Sequence, residues 1–155
     1  MGDNTPFYYG SAENKLNTKG QVAIPARFRS TLPDSERSGN FVIVRGEPQC
    51  LYMYTHQQFG KIKDNARRVA EQSSDPDFYR SFMAEAYAVE LDTQGRFVLP
   101  QSLMRAVGLK GPGVLFIGVD DRIDIWEPGT YSGTCGGHAR FEELRRSAAR
   151  SVFGG

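Results

Sequence analysis

The chain has 155 residues, a length that favours one compact domain or two fused halves. Hydrophobic residues make up 39% of it and charged residues 24%, which provides enough apolar material for a core and argues against wholesale disorder. The formal net charge of +1 excludes a uniformly basic, histone-like binder, so any nucleic-acid function must come from local charge asymmetry.

The sequence contains no signal for a membrane or an oxidising compartment. Its longest apolar run, residues 113–119, is far shorter than the roughly 20 residues that cross a bilayer. Residues 1–10 have neither a basic n-region nor an apolar h-region. Two cysteines, Cys50 and Cys135, are too few for a disulfide framework, and we expect free thiols. We therefore expect a cytoplasmic protein without a membrane partner.

The first half of the chain is predicted to form two hairpins separated by a short helix. A turn at residues 18–20 divides a weakly alternating strand from an apolar one, which is typical of a β-hairpin. Pro25 suits the first turn of a helix, and Pro33 ends that helix. Residues 41–44 and 51–54 are predicted to form the second hairpin.

The middle of the chain is predicted to be an αα-hairpin. Thr55 and Gln58 have the spacing of a capping box and open an amphipathic helix. Asp75 and Pro76 begin another helical stretch, which continues to about Met83. This pair of helices links the two halves.

The second half repeats the order of elements found in the first. Pro100 and Gly108 mark the start and the C-cap of a short helix. Residues 114–119 and 122–126 are predicted to form a hairpin. A last helix is expected from about residue 138 to about residue 150, with an apolar stripe on one face.

Internal repetition is visible between the halves. Residues 16–25 and 91–100 align at an offset of 75 without a gap. Four identical pairs occur in this alignment: Leu16/Leu91, Thr18/Thr93, Gly20/Gly95 and Pro25/Pro100. The same offset places Phe28 on Leu103. Each half therefore repeats a β-β-α-β-β unit, and we expect an α+β protein that consists mainly of strands.

These motifs resemble those of a known family. Leu-Asn-Thr-Lys-Gly-Gln-x-x-Ile-Pro-x-x-Phe-Arg at residues 16–29, paired with Leu-Asp-Thr-Gln-Gly-Arg-x-x-Leu-Pro at residues 91–100, is similar to the MraZ family, whose members carry two Asp-x-x-Gly-Arg-x-x-x-Pro units of the AbrB type. The resemblance extends over residues 9–127. It implies an intramolecular pseudo-dimeric swapped-hairpin barrel. We expect four segments: AbrB-like units at residues 9–57 and 85–129, a helical linker at 58–84, and a C-terminal helix at 138–152.

The resemblance also implies a function. It implies a ring-shaped homo-oligomer that binds double-stranded promoter DNA at direct-repeat boxes, and a bacterial, nucleoid-associated regulator of the division and cell-wall gene cluster. No catalysis, cofactor, metal or small-molecule substrate is expected.

The charge distribution favours the first unit as the DNA-binding half. Residues 14–33 carry four cations and no acid, whereas residues 85–107 carry three acids and two cations. The candidate DNA-binding residues are Lys15, Asn17, Lys19, Gln21, Arg27, Arg29 and Arg96. Lysines are expected at phosphates, and amides and Arg27 at base edges. Arg29 has the alternative of pairing with a carboxylate inside the fold, and Arg96 that of a structural pair with Asp92.

The first unit departs from the family motif at two positions. Asn17 and Gln21 stand where the second unit has Asp92 and Arg96. Gln21 can hydrogen-bond an adenine edge, but it cannot release a counterion from a phosphate. This departure motivates an alternative function, a ring-forming protein-interaction scaffold with weakened or lost specific DNA binding.

Cysteine and histidine residues suggest a further alternative. Cys135 and His138 resemble half of a zinc or thiol site, but only Cys50 and His56 remain as further ligands of these types. No orienting third group or oxyanion hole accompanies a cysteine nucleophile. We therefore interpret the segment around Cys135 as a glycine-rich loop.

Overall fold

The computed structural model describes residues 7–32, 40–134 and 137–154, with only the backbone described at 137–140. The predicted helix end at Pro33, Cys135 and the His138 side chain lie outside this description. Among the described residues, no helix is both long enough and apolar enough to cross a membrane.

The described strands form two antiparallel sheets. The strands are β1 (Ser11–Lys15), β2 (Gln21–Ala23), β3 (Asn40–Gly46), β4 (Cys50–Thr55), β5 (Tyr87–Glu90), β6 (Arg96–Val98), β7 (Gly113–Val119) and β8 (Arg122–Trp126). Six of them form one sheet in the order β1-β7-β8-β4-β3-β5, and β2 pairs with β6 in a separate ribbon. The expected α+β class with predominant strands is confirmed.

Helices occupy the connections between the strands. They are α1 (Ala26–Arg29), α2 (His56–Ser73), α3 (Pro76–Ala84), α4 (Gln101–Val107), α5 (Pro128–Thr134) and α6 (Gly137–Phe153). The predicted caps are confirmed: the Thr55 side chain accepts a hydrogen bond from the Gln58 N–H, and Gly108 ends α4 with a φ of 69°. The sequence analysis missed α5, whose first turn depends on the Glu127 carboxylate accepting from the Thr130 N–H at 2.8 Å.

The strand pairing connects the two halves of the chain. The predicted hairpins β3–β4 and β7–β8 are confirmed. The turn between β1 and β2 is present, but these two strands do not form a ladder with each other as a simple hairpin would. Instead, β1 pairs with β7 and β2 pairs with β6, while β5 pairs with β3. The first strand of each half therefore adds to the second hairpin of the other half.

The main core contains side chains from both halves. Phe97 and Phe116 meet edge to face at 6.5 Å, and Tyr8 meets Phe28 in the same way at 5.9 Å. All four aromatic rings are 2% exposed or less. A smaller apolar cluster lies where α2 and α3 cover β3 and β4, with Phe59 at its centre. Because both halves supply the main core, neither half retains its packing alone.

Candidate nucleic-acid interface

The first turn, residues 17–21, is held by one asparagine side chain. Asn17 Oδ1 accepts hydrogen bonds from the Lys19 and Gln21 N–H groups, both at 2.9 Å. Asn17 Nδ2 donates to Gln21 Oε1 at 3.0 Å. Gly20 supplies the positive φ of 77° that the turn requires. The result is a neutral amide pair at the surface, in which Gln21 Nε2 carries donors outward.

The second turn, residues 92–96, has the same backbone arrangement with charged side chains. Asp92 Oδ1 accepts from the Gln94 and Arg96 N–H groups at 2.9 and 2.8 Å. Arg96 Nε donates to Asp92 Oδ2 at 2.8 Å, so the predicted alternative of a structural pair is present. The pKa of Asp92 is lowered, first by the backbone hydrogen bond from Arg96 and also by the guanidinium of that residue.

The β2–β6 ribbon joins the two turns. Three residue pairs form its ladder: Gln21/Val98, Val22/Phe97 and Ala23/Arg96. Two flanking backbone bonds extend the ladder, from Leu99 N to Gly20 O at 3.0 Å and from Ile24 N to Gly95 O at 2.8 Å. Because the ribbon is antiparallel, the turns lie at its opposite ends. Gln21 and Ala23, the partner of Arg96, are two residues apart, which corresponds to about 7 Å at roughly 3.4 Å per residue.

Lys15 and Lys19 are the exposed cations nearest to the first turn in the sequence. Lys15 ends β1, and Lys19 lies within the turn itself. Neither ammonium group forms an ion pair with a residue that the structure describes, and both side chains are exposed. They are therefore free to meet an anion without breaking an existing contact.

The two arginines of α1 contact backbone carbonyls. Arg27 donates to Ser11 O at 3.2 Å. Arg29 donates to Thr93 O at 2.9 Å, and its side chain covers Gly95, where an added Cβ would lie 3.0 Å from Arg29 Nη1. The partner of Arg29 is thus a carbonyl of the second turn, not a carboxylate.

Five of the seven predicted site residues lie at the two turns, whereas Lys15 ends β1 and Arg27 contacts Ser11. The first turn contains Asn17, Lys19 and Gln21, and the second contains Arg96 together with Arg29 from the other half. Sequence reasoning missed the contact between Arg29 and Thr93, because these two residues are 64 positions apart. The repeat provides an indirect signal, since it places equivalent helices beside equivalent turns.

A polar cluster on the outer face of β4 and β8 was not predicted. Arg122 donates to Asp124 at 2.8 Å and lies 4.0 Å from the centre of the Tyr52 ring. Nearby, burial raises the pKa of Tyr54 to about 12. Tyr54 and Trp126 are both buried. This cluster links β4 to β8 through side chains that are partly exposed.

No metal centre is found in the described part of the chain. Its His, Cys, Asp and Glu residues do not form groups of three or more that could hold an ion. Cys50 is buried in β4. The candidate interface therefore consists of amide side chains and cations.

Comparison with known proteins identifies close relatives. A family model described as "MraZ protein, putative antitoxin-like" matches residues 7–79 and 82–145. A protein of Cytophaga hutchinsonii named "Transcriptional regulator MraZ" is 33% identical over 126 residues, covering 81% of this chain and 82% of the relative. A protein of Acetivibrio thermocellus with the same name is 32% identical over 131 residues, covering 82% and 87%.

Proposed function

Because the chain belongs to the MraZ family, we propose that it is a transcriptional regulator that binds double-stranded promoter DNA and catalyses no reaction. The observation that carries this proposal is the pair of equivalent turns at the ends of one ribbon. Each turn presents side-chain N–H groups, and exposed lysines lie beside the first. Base edges and phosphates are the partners that such groups recognise.

The two turns divide the work of recognition. Gln21 and Asn17 contact adenine edges, while Arg96 contacts guanine or phosphate through its terminal nitrogens. Lys15 and Lys19 contact phosphates and supply affinity that does not depend on sequence. Arg27 contacts a base edge, and Arg29 keeps spare N–H groups for the DNA backbone. The spacing of about 7 Å along the ribbon matches about two base-pair steps at 3.4 Å per step.

We extend the proposal to the assembly. The exchange of β1 and β5 between halves closes a swapped-hairpin barrel from the units 9–57 and 85–129, joined by the linker 58–84. Chains then assemble into a ring, which places several barrels on direct-repeat boxes in the promoter of the division and cell-wall cluster. Each barrel contributes few contacts, so affinity comes from simultaneous binding. The protein acts in the cytoplasm, at the nucleoid.

The C-terminal helix supports self-association. Four large apolar side chains of α6 are exposed: Phe141, Leu144, Val152 and Phe153, by 56 to 73%. An amphipathic helix with such a face is stable in water only when another surface covers it. The same face also suits the second candidate function, a ring-forming scaffold that has lost specific DNA binding, which the neutral Asn17–Gln21 pair of the first turn favours.

Fluorescence anisotropy separates the two functions. A labelled duplex from the region upstream of this protein's own coding sequence is titrated against a scrambled duplex of equal composition, at two salt concentrations. The regulator binds the native duplex more tightly, and its affinity falls as salt rises. A scaffold binds neither duplex, or binds both equally, and that result would refute the regulator.

A further inference from the structure

One of the differences between the two halves lies in the short helix that follows each turn. The offset of 75 that places Phe28 on Leu103 also places Arg29 on Met104. Arg29 covers the second turn, where Gly95 is buried. Met104 lies beside the first turn, where a Cβ added to Gly20 would lie 3.4 Å from Met104 Cε. A guanidinium therefore closes one turn, whereas a flexible thioether borders the other.

A cleft of about 390 Å³ opens beside the first turn. One wall is the turn itself, with Asn17 and Lys19. The other wall consists of the end of β6 and the start of α4, with Val98, Gln101 and Met104. Val98 is 55% exposed, whereas Val22 of the same ribbon is buried. No acidic residue of the described chain lines this cleft.

This combination of side chains suits one kind of ligand group. A cation without a nearby acid attracts a polyanion, and apolar walls accept a methyl group. Amides at the rim suit the donors and acceptors of a base edge. The thymine C5-methyl group is the apolar feature of the DNA major groove, and aliphatic side chains contact it.

We propose that this cleft is a specificity-determining subsite in which Met104 and Val98 contact the methyl group of a thymine in the bound promoter. The inference rests on the proposed function, since it names a base that the DNA-binding surface recognises. Lys19 contacts the neighbouring phosphate, and Gln101 contacts the edge of the base pair. At the second turn, the Arg29 side chain lies where the first turn has Met104.

Replacing thymine by deoxyuridine tests the proposal, because this change removes the methyl group and leaves base pairing intact. The upstream duplex is prepared with either nucleotide, and both forms are titrated by fluorescence anisotropy with the full chain. Each methyl group that the cleft buries is expected to change the affinity on the order of fourfold. The Met104→Ala variant is expected to lose most of this difference.

A matched control uses the same substitution elsewhere. Met83, a partly buried methionine packed against Phe59 and its neighbours, is far from the turns in the fold, so Met83→Ala is expected to keep the wild-type preference for thymine. Val98→Ala, at an exposed position, provides a second test should Met104→Ala unfold the chain by circular dichroism. Either variant that folds and binds must reduce the preference.

The outcomes for the subsite and for the regulator are separable. Specific binding of the upstream duplex with equal affinity for the thymine and deoxyuridine forms would overturn the subsite and leave the regulator intact. An absence of specific binding to either form would refute the proposed function itself. A preference for thymine that survives both Met104→Ala and Val98→Ala would also overturn the subsite.

Discussion

Removal of Lys15 and Lys19 together tests the electrostatic part of DNA binding. Both side chains are exposed, and neither is ion-paired within the described chain. The double variant Lys15→Ala/Lys19→Ala therefore removes two positive charges without leaving an unpaired acid. We expect the fold to remain intact and binding to weaken for native and scrambled duplexes alike, because phosphate contacts carry no base information.

The expected magnitude follows from counterion release. Each phosphate contact contributes about −0.9 to the slope of log K against log salt, so the variant loses about 1.8 in slope for each bound protomer. Over a fourfold rise in salt, the wild type should then lose about 12-fold more affinity than the variant per bound protomer. Partial unfolding of the variant alone would lower its affinity at every salt concentration, but it would leave the slope of log K against log salt close to that of the wild type.

The assay is fluorescence anisotropy at several salt concentrations. Lys61→Ala/Lys63→Ala is the matched control, since it removes the same charge from α2, which packs on β3 and β4. The control should keep the wild-type slope. Equal slopes for the wild type and the Lys15/Lys19 variant would refute the reasoning, because the lysines would then not meet phosphate.

Three further predictions concern the stability of the fold. Thr55→Ala removes the side chain that accepts from the Gln58 N–H, and it should lower the free energy of unfolding by about 1 kcal/mol in urea titrations, with no change indicating a dispensable cap. The pKa of Asp92 is lowered in the folded state. Its carboxylate therefore stabilises the fold at pH values above the ordinary pKa of 3.8, and this contribution disappears as the pH falls through the lowered pKa. Unfolding monitored by circular dichroism at several pH values should show Asp92→Asn less stable than the wild type near neutral pH. The difference in the free energy of unfolding should narrow in acid, and a constant difference would contradict the stabilising role of the Asp92 carboxylate. Tyr54 remains neutral in the fold up to about pH 12, whereas the unfolded chain ionises near 10, so the wild type should lose about 2 to 3 kcal/mol over this window. Tyr54→Phe should remove that alkaline loss, and an unchanged alkaline unfolding curve would show that Tyr54 is not its source.

Local signals were sufficient to predict most of the elements. The capping box at Thr55, the turn at Gly20 and the C-cap at Gly108 each depend on contacts within a few residues. Such contacts are determined by neighbouring residue types, so sequence spacing reveals them. The helix α5 escaped prediction because two glycines in its seven residues weaken the helical pattern, while the cap that supports it comes from Glu127.

Strand partners could not be derived from the pattern of residues. Alternation in β1 shows which side chains face the core, but several strands offer the same apolar face. The observed partner, β7, lies about a hundred residues later in the chain. The family resemblance implied an exchange between halves, which residue periodicity does not encode.

At the candidate site, too, the sequence predicted the types of residue but not the contacts that they make. Sequence reasoning selected amides and cations of the kind that bind nucleic acid, and the structure brings several of them to the two turns. It could not assign partners to Arg27 and Arg29, since both bind carbonyls that carry no sequence signature. A carbonyl is present in every residue, so only the fold selects which one an arginine meets.

The exchange of an Asp-Arg pair for an Asn-Gln pair also has a simple electrostatic consequence. Both pairs are neutral overall, so this exchange alters the chemistry of the donors and not the net charge. The first turn is more positive than the second by one charge, because Lys19 stands where the second turn has Gln94. The backbone hydrogen bonds are retained, because Asn17 Oδ1 accepts the same two N–H groups as Asp92 Oδ1. At the first turn, charge comes from Lys15 and Lys19, whereas base discrimination belongs to the amides under the proposed function. Affinity and sequence preference therefore depend on different side chains, and either can change without loss of the turn.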